Sequence, residues 1–450
     1  MNEGGTAKLM ASPLAWGGVF FSFPGGGLPM DLLARPRGTE DVFPEAAARW
    51  RGLEAVCRTL ARRYGYGELR TPTFEHSEVF HRNLGDTTDV VQKETYDFKD
   101  RGGRELTLRP EGTAGTVRAF LQGGLQGGPM PCKLFYVTLS AFRYERPQAG
   151  RLREHHQFGC EAIGSADPAT DAELIALVAD LLRTLGVRDF QVRLNSIGDP
   201  ACRPAYLQAL RDYYRPLLPN LCEDCQGRFE RSPLRLLDCK KDREAVAGAP
   251  QAVDHLCADC AQHFQALRGY LTDLGIAHTV DHTLVRGFDY YTRTVFEFVS
   301  GELGAQNSIL GGGRYDGLVE SMGGPAVPAA GFAVGMERLL AVATALPAAE
   351  PALDVYVASD SRREALAACQ ALRKASLAAD MDPLGRSLRA QMRAADRSGA
   401  TWAVIRDAPE RDRGVAVIRP LRGGDQREVA WEQLLADPRD ALSDEEGPSS

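Results

Sequence analysis

Residues 142–161 constrain this chain most, because charged and apolar side chains alternate there around a centre that contains proline and glycine. We interpret the stretch as two antiparallel strands joined by a loop, in which side chains two residues apart share a face. The residues predicted to converge on one surface are Arg143, Glu145, Gln157, Gly159 and Glu161. Tyr144 and Phe158 point to the opposite face, so both faces of the predicted hairpin are expected to make contacts.

Basic residues are concentrated at two places where they could bind a phosphate backbone. One is the loop of the predicted hairpin, which includes Gln148 and ends near Arg153. The other is the segment 386–427, where ten arginines stand against five acids. The net charge of -7 does not exclude nucleic-acid binding, because a local patch decides it. Part of the second cluster could equally be a solvated helix face.

The composition is typical of a globular protein with two or three domains. Of the 450 residues, 44% are hydrophobic and 25% charged, and no stretch is long and apolar enough to span a bilayer. The cysteines do not follow a small disulfide-rich pattern, so we expect a reducing compartment, the cytoplasm. Residues 1–29 are expected to be a disordered extension or a misassigned start, because their apolar run lacks a basic leader and a cleavage site.

The spacing of apolar residues predicts how the chain is organised. Residues 45–64 are predicted to form an amphipathic helix, and Pro72 within an extended segment indicates an edge strand that a second subunit could cover. Short strands without regular βαβ alternation predict an α+β fold with a mostly antiparallel sheet. The expected boundaries are the α+β domain at 30–345 with a helical insertion at about 200–270, a linker at 346–353, a small α/β domain at 354–437, and a disordered tail at 438–450.

Two glycine-containing segments are predicted to lie beside a bound ligand. Residues 311–313 are three glycines that predict a turn, and Tyr315 follows at a point where backbone could approach a ligand. At Gly335 a strand is predicted to pass into a helix, which places Arg338 in the first helical turn. An arginine beside exposed backbone N–H groups suits a phosphate, and pairing with a surface carboxylate is the alternative.

Two further segments carry polar groups suited to an amino acid. Glu111 and Thr113 follow a predicted strand, where both can accept hydrogen bonds from one ammonium group or cap the next helix. Arg286, Tyr290 and Tyr291 crowd around one glycine. Charged and phenolic groups so close together are expensive to bury unless they are paired, although core packing is the alternative for each tyrosine.

Five cysteines lie between positions 222 and 260, more than one tetrahedral zinc ion needs. The two Cys-x-x-Cys pairs predict a structural zinc site formed by Cys222, Cys225, Cys257 and Cys260. Further candidate ligands are Cys239, His255 and His263. The alternative is that these are buried free thiols.

Five segments together resemble class II aminoacyl-tRNA synthetases and, within that class, the histidyl-tRNA synthetase family. They are residues 108–115, 142–161, 284–298, 311–318 and 331–338. The likeness runs in order from about residue 35 to 429, and its Arg-Gly-x-Asp-Tyr-Tyr signature is specific. It implies a homodimer without membrane attachment, an antiparallel catalytic core, a C-terminal anticodon-binding domain, and L-histidine, ATP with Mg²⁺ and the tRNA for histidine as partners.

The resemblance also implies roles for individual residues. Those implied to bind the histidine α-ammonium are Glu111, Thr113 and Gln157. Those implied around the imidazole are Glu161, Tyr290, Tyr291 and Tyr315. Those implied at ATP are Arg143, Glu145, Arg286 and Arg338, with Arg143 and Arg286 acting in catalysis at the α-phosphate. Those implied at tRNA are Gln148 and Arg153 for the acceptor end, and the arginines of 386–422 for the anticodon arm.

Three places depart from the family pattern: His155 replaces a phenylalanine, and residues 139–141 and 407–410 replace glycine-containing segments. These departures put ATP, tRNA and anticodon contacts in question. The main rival is a non-catalytic relative that regulates ATP phosphoribosyltransferase. Such relatives tend to lose the C-terminal domain and the Arg-Gly-x-Asp-Tyr-Tyr loop, and this chain has both. A duplicated synthetase with another tRNA preference is a second alternative.

Overall fold

The computed structural model describes residues 33–84, 94–145, 152–301, 308–347 and 353–443. The chain divides into two compact units between Pro347 and Ala348. The extension predicted at 1–29 lies outside the described residues. No helix in the described ranges is both long and apolar enough to cross a membrane.

The first unit is built on an eight-stranded sheet in which five of the seven neighbouring strand pairs are antiparallel. In spatial order, its strands are β1 (Gly67–Glu68), β5 (Cys132–Phe142), β6 (Glu154–Ile163), β11 (Ala329–Gly335), β10 (Ser308–Arg314), β9 (Thr292–Val299), β7 (Gln191–Ser196) and β8 (His278–Val280). The predicted α+β class with a mostly antiparallel sheet is confirmed.

Helices α1 (Pro44–Arg63), α4 (Pro168–Thr184) and α10 (Met336–Val342) pack on one face of this sheet. On the other face, α3 (Thr113–Gln122) and α9 (Leu318–Ser321) pack with Ile163 of β6, and α2 (Glu78–Leu84) packs against α3. Phe158 and Cys160 of β6 join a core that includes Phe332 of β11 and Leu177 of α4. Because side chains alternate along a strand, the neighbours of Phe158 and Cys160 point to the opposite face, where the candidate site lies.

The insertion is helical, as predicted, and its helices are α5 (Arg203–Tyr214), α6 (Glu223–Arg228), α7 (Arg243–Ala247) and α8 (Ala258–Asp273). Tyr206, Leu210 and Tyr214 occupy one side of α5 at helical spacing and form a local core with Phe229 and Leu236. The insertion therefore has apolar contacts of its own, apart from those of the main sheet.

A second, three-stranded sheet has the order β2 (Phe74–His76), β4 (Glu105–Leu108) and β3 (Tyr96–Lys99). The extended segment after Pro72 is therefore an edge strand, as predicted. Phe74 is 52% exposed and Phe98 is 41% exposed, and their ring centroids lie 6.3 Å apart. An open strand edge and an apolar pair thus lie side by side on the surface.

The three glycines at 311–313 lie inside β10, so the predicted turn is wrong. Glycine normally favours turns, but here it makes space for side chains that cross the strand. A Cβ atom at Gly311 would overlap the guanidinium of Arg286, one at Gly312 would overlap Phe296, and one at Gly313 would crowd Tyr291. The three glycines therefore leave room for side chains from other segments to pack against β10.

The predicted hairpin is present as β5 and β6, which pair in antiparallel register, with Tyr136 opposite Gly159. Its first strand ends at Phe142, so Arg143 and Glu145 lie beyond the strand and do not share one of its faces. The backbone N–H of Tyr144 instead donates to the carbonyl of Glu94 at 2.7 Å. The strand ends because its hydrogen-bond partner changes at this point.

The second unit has a five-stranded sheet, partly parallel, with helices beside it, which confirms the predicted small α/β domain. In chain order its elements are β12 (Val355–Ser359), α11 (Arg362–Lys374), β13 (Ala379–Met381), α12 (Leu388–Ser398), β14 (Trp402–Arg406), α13 (Ala408–Asp412), β15 (Val415–Pro420), β16 (Arg427–Ala430), α14 (Trp431–Ala436) and α15 (Pro438–Leu442). Asp407 and Glu410 form a capping box at α13, so this departure from the family pattern is a helix start.

The disordered tail expected at 438–450 is wrong for its first five residues, which form α15. Ala441 and Leu442 are buried and belong to the core of the second unit. The acidic, serine-rich composition that suggested disorder begins after this short apolar contact. Residues 444–450 lie outside the described part of the chain.

Candidate active site

Glu161, fully buried on β6, is the centre of the candidate site. Its Oε1 accepts hydrogen bonds from the hydroxyls of Thr113 at 2.8 Å and Tyr136 at 3.1 Å, and its Oε2 accepts one from Tyr315. Burial raises the pKa of Glu161 to about 8, although these hydrogen bonds act in the opposite direction. A carboxyl group in this environment can bind a nitrogen base strongly, because few waters compete for it.

Tyr136 belongs to this group, and sequence reasoning missed it. The ring fits only because Gly112 and Gly159 lack side chains, since a Cβ atom at either position would overlap the phenol. A Cβ atom at Gly331 would likewise overlap the carboxylate of Glu161. Gly159 on the predicted inner face was the available signal, because a strand glycine often marks a close approach by another group.

Replacing Gly159 with alanine is expected to destabilise the first unit by about 1–3 kcal/mol, the usual effect of overpacking a filled core. The added methyl would displace Tyr136 and would also meet the carbonyl of Phe332. Chemical denaturation of both proteins measures the change. Gly269→Ala in α8 is the matched control, because its Cβ would enter open space and improve helix propensity. Equal effects of the two substitutions would contradict the packing account.

Glu111 and Thr113 lie at the start of α3, next to Glu161. The carboxylate of Glu111 accepts from the backbone N–H groups of Thr113 at 2.6 Å and Ala114 at 2.7 Å, so it caps the helix. Burial raises its pKa, and the hydrogen bonds oppose that effect. Gln157 contributes a buried Oε1 that has no hydrogen-bond partner among the described residues. An acceptor without a partner suits a ligand that donates.

The predicted tyrosines gather in one cluster. The ring centroid of Tyr290 lies 4.7 Å from that of Tyr291, 5.7 Å from that of Tyr315 and 5.3 Å from that of Phe288. The segment that carries them is held to the sheet, because Asn195 of β7 donates to the carbonyl of Leu284 at 3.0 Å. Aromatic walls and the buried carboxyl of Glu161 therefore belong to the same site.

Arg286 and Arg338 are joined through β9 and β10. Nη1 of Arg286 lies 3.5 Å from Oε1 of Glu297, which accepts from Ser308 Oγ at 2.7 Å, and Arg338 donates to the carbonyl of Ser308. The Nε of Arg286 is buried and has no acceptor in the described ranges. Two guanidinium groups thus flank one strand end, and one of them keeps a donor available for an oxygen ligand.

Arg143 lies near the tyrosine cluster and near Arg338. Its Nε donates to the carbonyl of Pro110 at 3.1 Å, and its guanidinium lies 5.4 Å from the ring centroid of Phe288. Burial, together with the smaller effects of Arg143, His156 and Arg338, lowers the pKa of His155 to about 3. The ring of His155 is thus neutral and close to both arginines, and it resembles the phenylalanine usual in the family.

The hairpin residues predicted to meet tRNA are only partly described, because Gln148 lies outside the described residues. The Nε of Arg153 donates to the carbonyl of Glu145 at 3.2 Å, and its guanidinium lies 4.2 Å from the ring centroid of Tyr144. These contacts place Arg153 at the end of the β5–β6 pair.

The cysteines form two separate groups, so the predicted single site of Cys222, Cys225, Cys257 and Cys260 is wrong. In each group the candidate ligand atoms all lie within 4.8 Å of one another. The first group is Cys222, Cys225, Cys239 and Asp242, and the second is Asp199, Cys202, Cys257 and Cys260. The two Cys-x-x-Cys pairs start different helices, α6 and α8, and each meets a pair from elsewhere. His255 and His263 belong to neither group.

Antiparallel strands, a glycine-lined face and an arginine at a strand-to-helix junction agree with the class II aminoacyl-tRNA synthetase fold expected from the sequence. Comparison with known proteins gives the family. The histidyl-tRNA synthetase family model matches residues 38–339, and the anticodon binding domain model matches residues 352–437.

Individual relatives agree with these matches. The chain is 52% identical over 407 residues to histidine–tRNA ligase of Moorella thermoacetica, covering 88% of this chain and 96% of that protein. It is 49% identical over 412 residues to that of Desulforamulus reducens, covering 90% and 98%. The crystal structure of apo S. aureus histidyl-tRNA synthetase superposes with a TM-score of 0.76 at 34% identity, covering 90% and 99%. The chain belongs to the histidyl-tRNA synthetase family.

Proposed function

We propose that this chain is a histidine–tRNA ligase, which activates L-histidine with ATP and transfers it to the 3′ end of its tRNA. The observation that carries the proposal is the buried Glu161 with its three hydroxyl donors. A polar group enclosed in this way selects a side chain that can hydrogen-bond, because an apolar side chain would leave the carboxyl without its ligand. Family membership supports the same conclusion.

Histidine is proposed to lie between Glu161 and Gln157. Its imidazole would meet Glu161 and Tyr291, with Tyr290 and Tyr315 as walls. Its α-ammonium would donate to the unpartnered Oε1 of Gln157 and to Glu111 and Thr113. The helix cap does not prevent this, because each carboxylate oxygen can accept more than one hydrogen bond.

ATP is proposed to lie across the three arginines, with Arg143 at the α-phosphate, Arg338 at the γ-phosphate and Glu145 nearby. The histidine carboxylate attacks the α-phosphorus, and pyrophosphate leaves with the electrons of the broken P–O bond. Negative charge grows on the α-phosphate oxygens in that step, so Arg286 and Arg143 stabilise it more than the ground state. Mg²⁺ bound to the phosphates of ATP would neutralise part of their charge. The terminal ribose hydroxyl of tRNA then takes the acyl group, and AMP leaves.

The test is histidine-dependent exchange of radiolabelled pyrophosphate into ATP, followed by charging of histidine tRNA. We expect both activities, and we expect exchange with no other amino acid. Absence of exchange would favour the regulatory rival, and exchange without charging would point to a paralogue with another acceptor. The regulatory rival is already disfavoured by the match of an anticodon binding domain at residues 352–437.

The second unit offers one surface suited to tRNA. Seven of the ten arginines in 386–427 donate hydrogen bonds within the unit, to Asp382, Glu364, Asp360, Glu428, Gln426, Gly399 and Ala441. Arg389, Arg393 and Arg397 differ, because all three are exposed and make no ion pair within the described ranges. Their spacing of four residues places them on one face of α12. We propose that this basic stripe meets the anticodon arm.

Replacing Arg389, Arg393 and Arg397 together with alanine is expected to weaken tRNA binding. Each lost phosphate contact should reduce the slope of log affinity against log salt by about 0.7–0.9. Filter binding across a salt series measures it, and pyrophosphate exchange should stay at the wild-type rate. The triple lysine variant is the control, because it keeps the charge. An unchanged slope in the triple alanine variant would contradict the proposal that this basic stripe contacts tRNA.

A homodimer is also proposed, with the exposed edge of β2 and the Phe74–Phe98 pair within its interface. An unpaired strand edge next to apolar rings is a surface that proteins normally cover. Light scattering should give twice the chain mass, and a monomeric result with full activity would contradict the proposal. The free cysteines and the tRNA substrate support a reducing location, the cytoplasm.

A further inference from the structure

The two cysteine groups are built from four short pairs with the same spacing. These are Asp199-x-x-Cys202, Cys222-x-x-Cys225, Cys239-x-x-Asp242 and Cys257-x-x-Cys260. Each group joins two of the pairs, and each contains three thiols and one carboxylate. The first group lies entirely within the sequence between Cys202 and Cys257, which belong to the second group. We call the first group the inner one and the second the outer one. The same set of three thiols and one carboxylate therefore occurs twice in this part of the chain.

The first group has the dimensions of a tetrahedral thiolate site. Zinc–sulfur bonds of about 2.3 Å require sulfur atoms about 3.8 Å apart at tetrahedral angles, and a zinc–oxygen bond of about 2.0 Å requires sulfur and oxygen about 3.5 Å apart. Sγ of Cys222 and Sγ of Cys239 are 3.7 Å apart, and Sγ of Cys239 lies 3.4 Å from Oδ2 of Asp242. A disulfide would bring sulfur atoms to about 2.05 Å.

The second group shows the same sulfur–oxygen distance and a supporting contact. Sγ of Cys202 lies 3.4 Å from Oδ1 of Asp199. The other oxygen of Asp199 is 3.3 Å from Nη2 of Arg293, which holds the carboxylate from behind. Metal-ligating carboxylates are commonly oriented by such a hydrogen bond. Oδ1, the oxygen that faces the thiols, also accepts from the backbone N–H groups of Ala201 at 3.0 Å and Cys202 at 3.3 Å, so the protein fixes the direction of both oxygens.

We propose that each group binds one zinc ion, so that the chain carries two structural zinc ions. Three thiolates and one carboxylate in tetrahedral arrangement favour zinc over magnesium or calcium, which prefer oxygen ligands. Each cysteine thiol gives up its proton to solvent as the sulfur–zinc bond forms, and no oxidant is needed. The inner ion joins α6 to the segment before α7, and the outer ion joins the end of β7 to α8.

The outer ion has a route to the candidate active site, and this step rests on the proposed function. Cys202 is followed by Arg203, whose Nη2 donates to the carbonyl of Tyr291 at 2.6 Å. Arg293, two residues after Tyr291, contacts Asp199 of the same group. Loss of the outer ion should therefore raise the KM for histidine. Loss of the inner ion should change that KM less, because the hydrogen bonds of its ligands in the described residues stay within the group.

The test is to measure the zinc content of the purified full-length chain by inductively coupled plasma mass spectrometry. The same measurement is made on Cys202→Ser, on Cys239→Ser and on the control Cys132→Ser. We expect about two zinc ions per chain in wild type and control, and about one in each of the other variants. Cys132 is the control because it lies on β5, outside both groups. These counts require no enzyme activity, so they test the zinc proposal separately from the ligase proposal.

Two further measurements keep the proposal falsifiable if a variant fails to fold. Wild-type chain stripped of metal and given Co²⁺ should show thiolate-to-cobalt charge-transfer absorption that saturates at two equivalents. All ten cysteines should react as thiols after denaturation with a chelator. One zinc ion or none in wild type, cobalt saturation at one equivalent, or a Cys222–Cys239 disulfide would each overturn the two-ion proposal.

Discussion

Arg286→Ala is expected to lower the rate of histidine-dependent pyrophosphate exchange by about 10²–10³-fold, equivalent to about 2.7–4 kcal/mol of transition-state stabilisation. The guanidinium of Arg286 lies directly over Gly311, where any side chain would displace it. Its Nε is a buried donor with no acceptor among the described residues. We expect an oxygen that gains charge during the reaction to supply that acceptor, so the interaction should strengthen as the transition state forms.

The kinetic pattern separates this role from simple substrate binding. Loss of an interaction made only in the transition state lowers kcat and kcat/KM together, whereas loss of uniform binding raises KM alone. We therefore expect kcat to carry most of the change. Arg286→Lys should recover only part of the rate, because an ammonium group keeps the charge but lacks the planar pair of donors.

The control for Arg286 is Arg183→Ala, which removes an arginine paired with Asp180 on α4. It should leave exchange unchanged. If Arg286→Ala affected only KM, or if both variants lost activity equally, Arg286 would not be the group that stabilises the reacting phosphate. Circular dichroism and unfolding curves would show whether Arg286→Ala is still folded and stable, since the substitution leaves Glu297 without its cation but with its hydrogen bond from Ser308.

Local signals in the sequence predicted the fold and much of the site. Period-two alternation located β6, although β5 ends where the first strand of the hairpin was expected to begin, and the glycine before Met336 located the junction that carries Arg338. Both signals lie within a few residues of the structure they predict. The same holds for Glu111, whose capping position next to α3 followed from its place after a strand.

What the sequence did not show depends on contacts between distant segments. Residues 311–313 look like a turn until Arg286 and Tyr291 are known to cross them. Tyr136 had no distinguishing neighbours in the chain, and only its register opposite Gly159 reveals its role. The cysteine pairs were assigned to each other because they share a spacing, yet the chain topology gives each a different partner.

Glu161→Gln is expected to lower kcat/KM for histidine by roughly 10- to 100-fold, since a hydrogen bond to a charged group is worth about 1.5–3 kcal/mol and each 1.4 kcal/mol is tenfold. The amide keeps the shape of the carboxyl but cannot ionise, so it cannot form the charged hydrogen bond that we expect the carboxyl to make once the imidazole of histidine is bound. Thr113, Tyr136 and Tyr315 would still surround it, so the pocket should persist. Exchange assays at varied histidine concentration measure the loss, and Glu173→Gln on α4 should show none.

The same variant makes a second, independent prediction about stability and pH. The pKa of Glu161 is raised to about 8 in the folded chain, against about 4.3 in an unfolded one. Between these values the folded state holds the proton more tightly, so the stability from that proton is full below about pH 4.3 and is lost as the pH rises through 8. Glutamine does not titrate. The free energy of unfolding of wild type should therefore fall relative to Glu161→Gln by up to about 3 kcal/mol between pH 5.5 and 8. Parallel pH profiles for the two proteins would show that Glu161 is ionised in the folded state at neutral pH, and that burial does not control its charge.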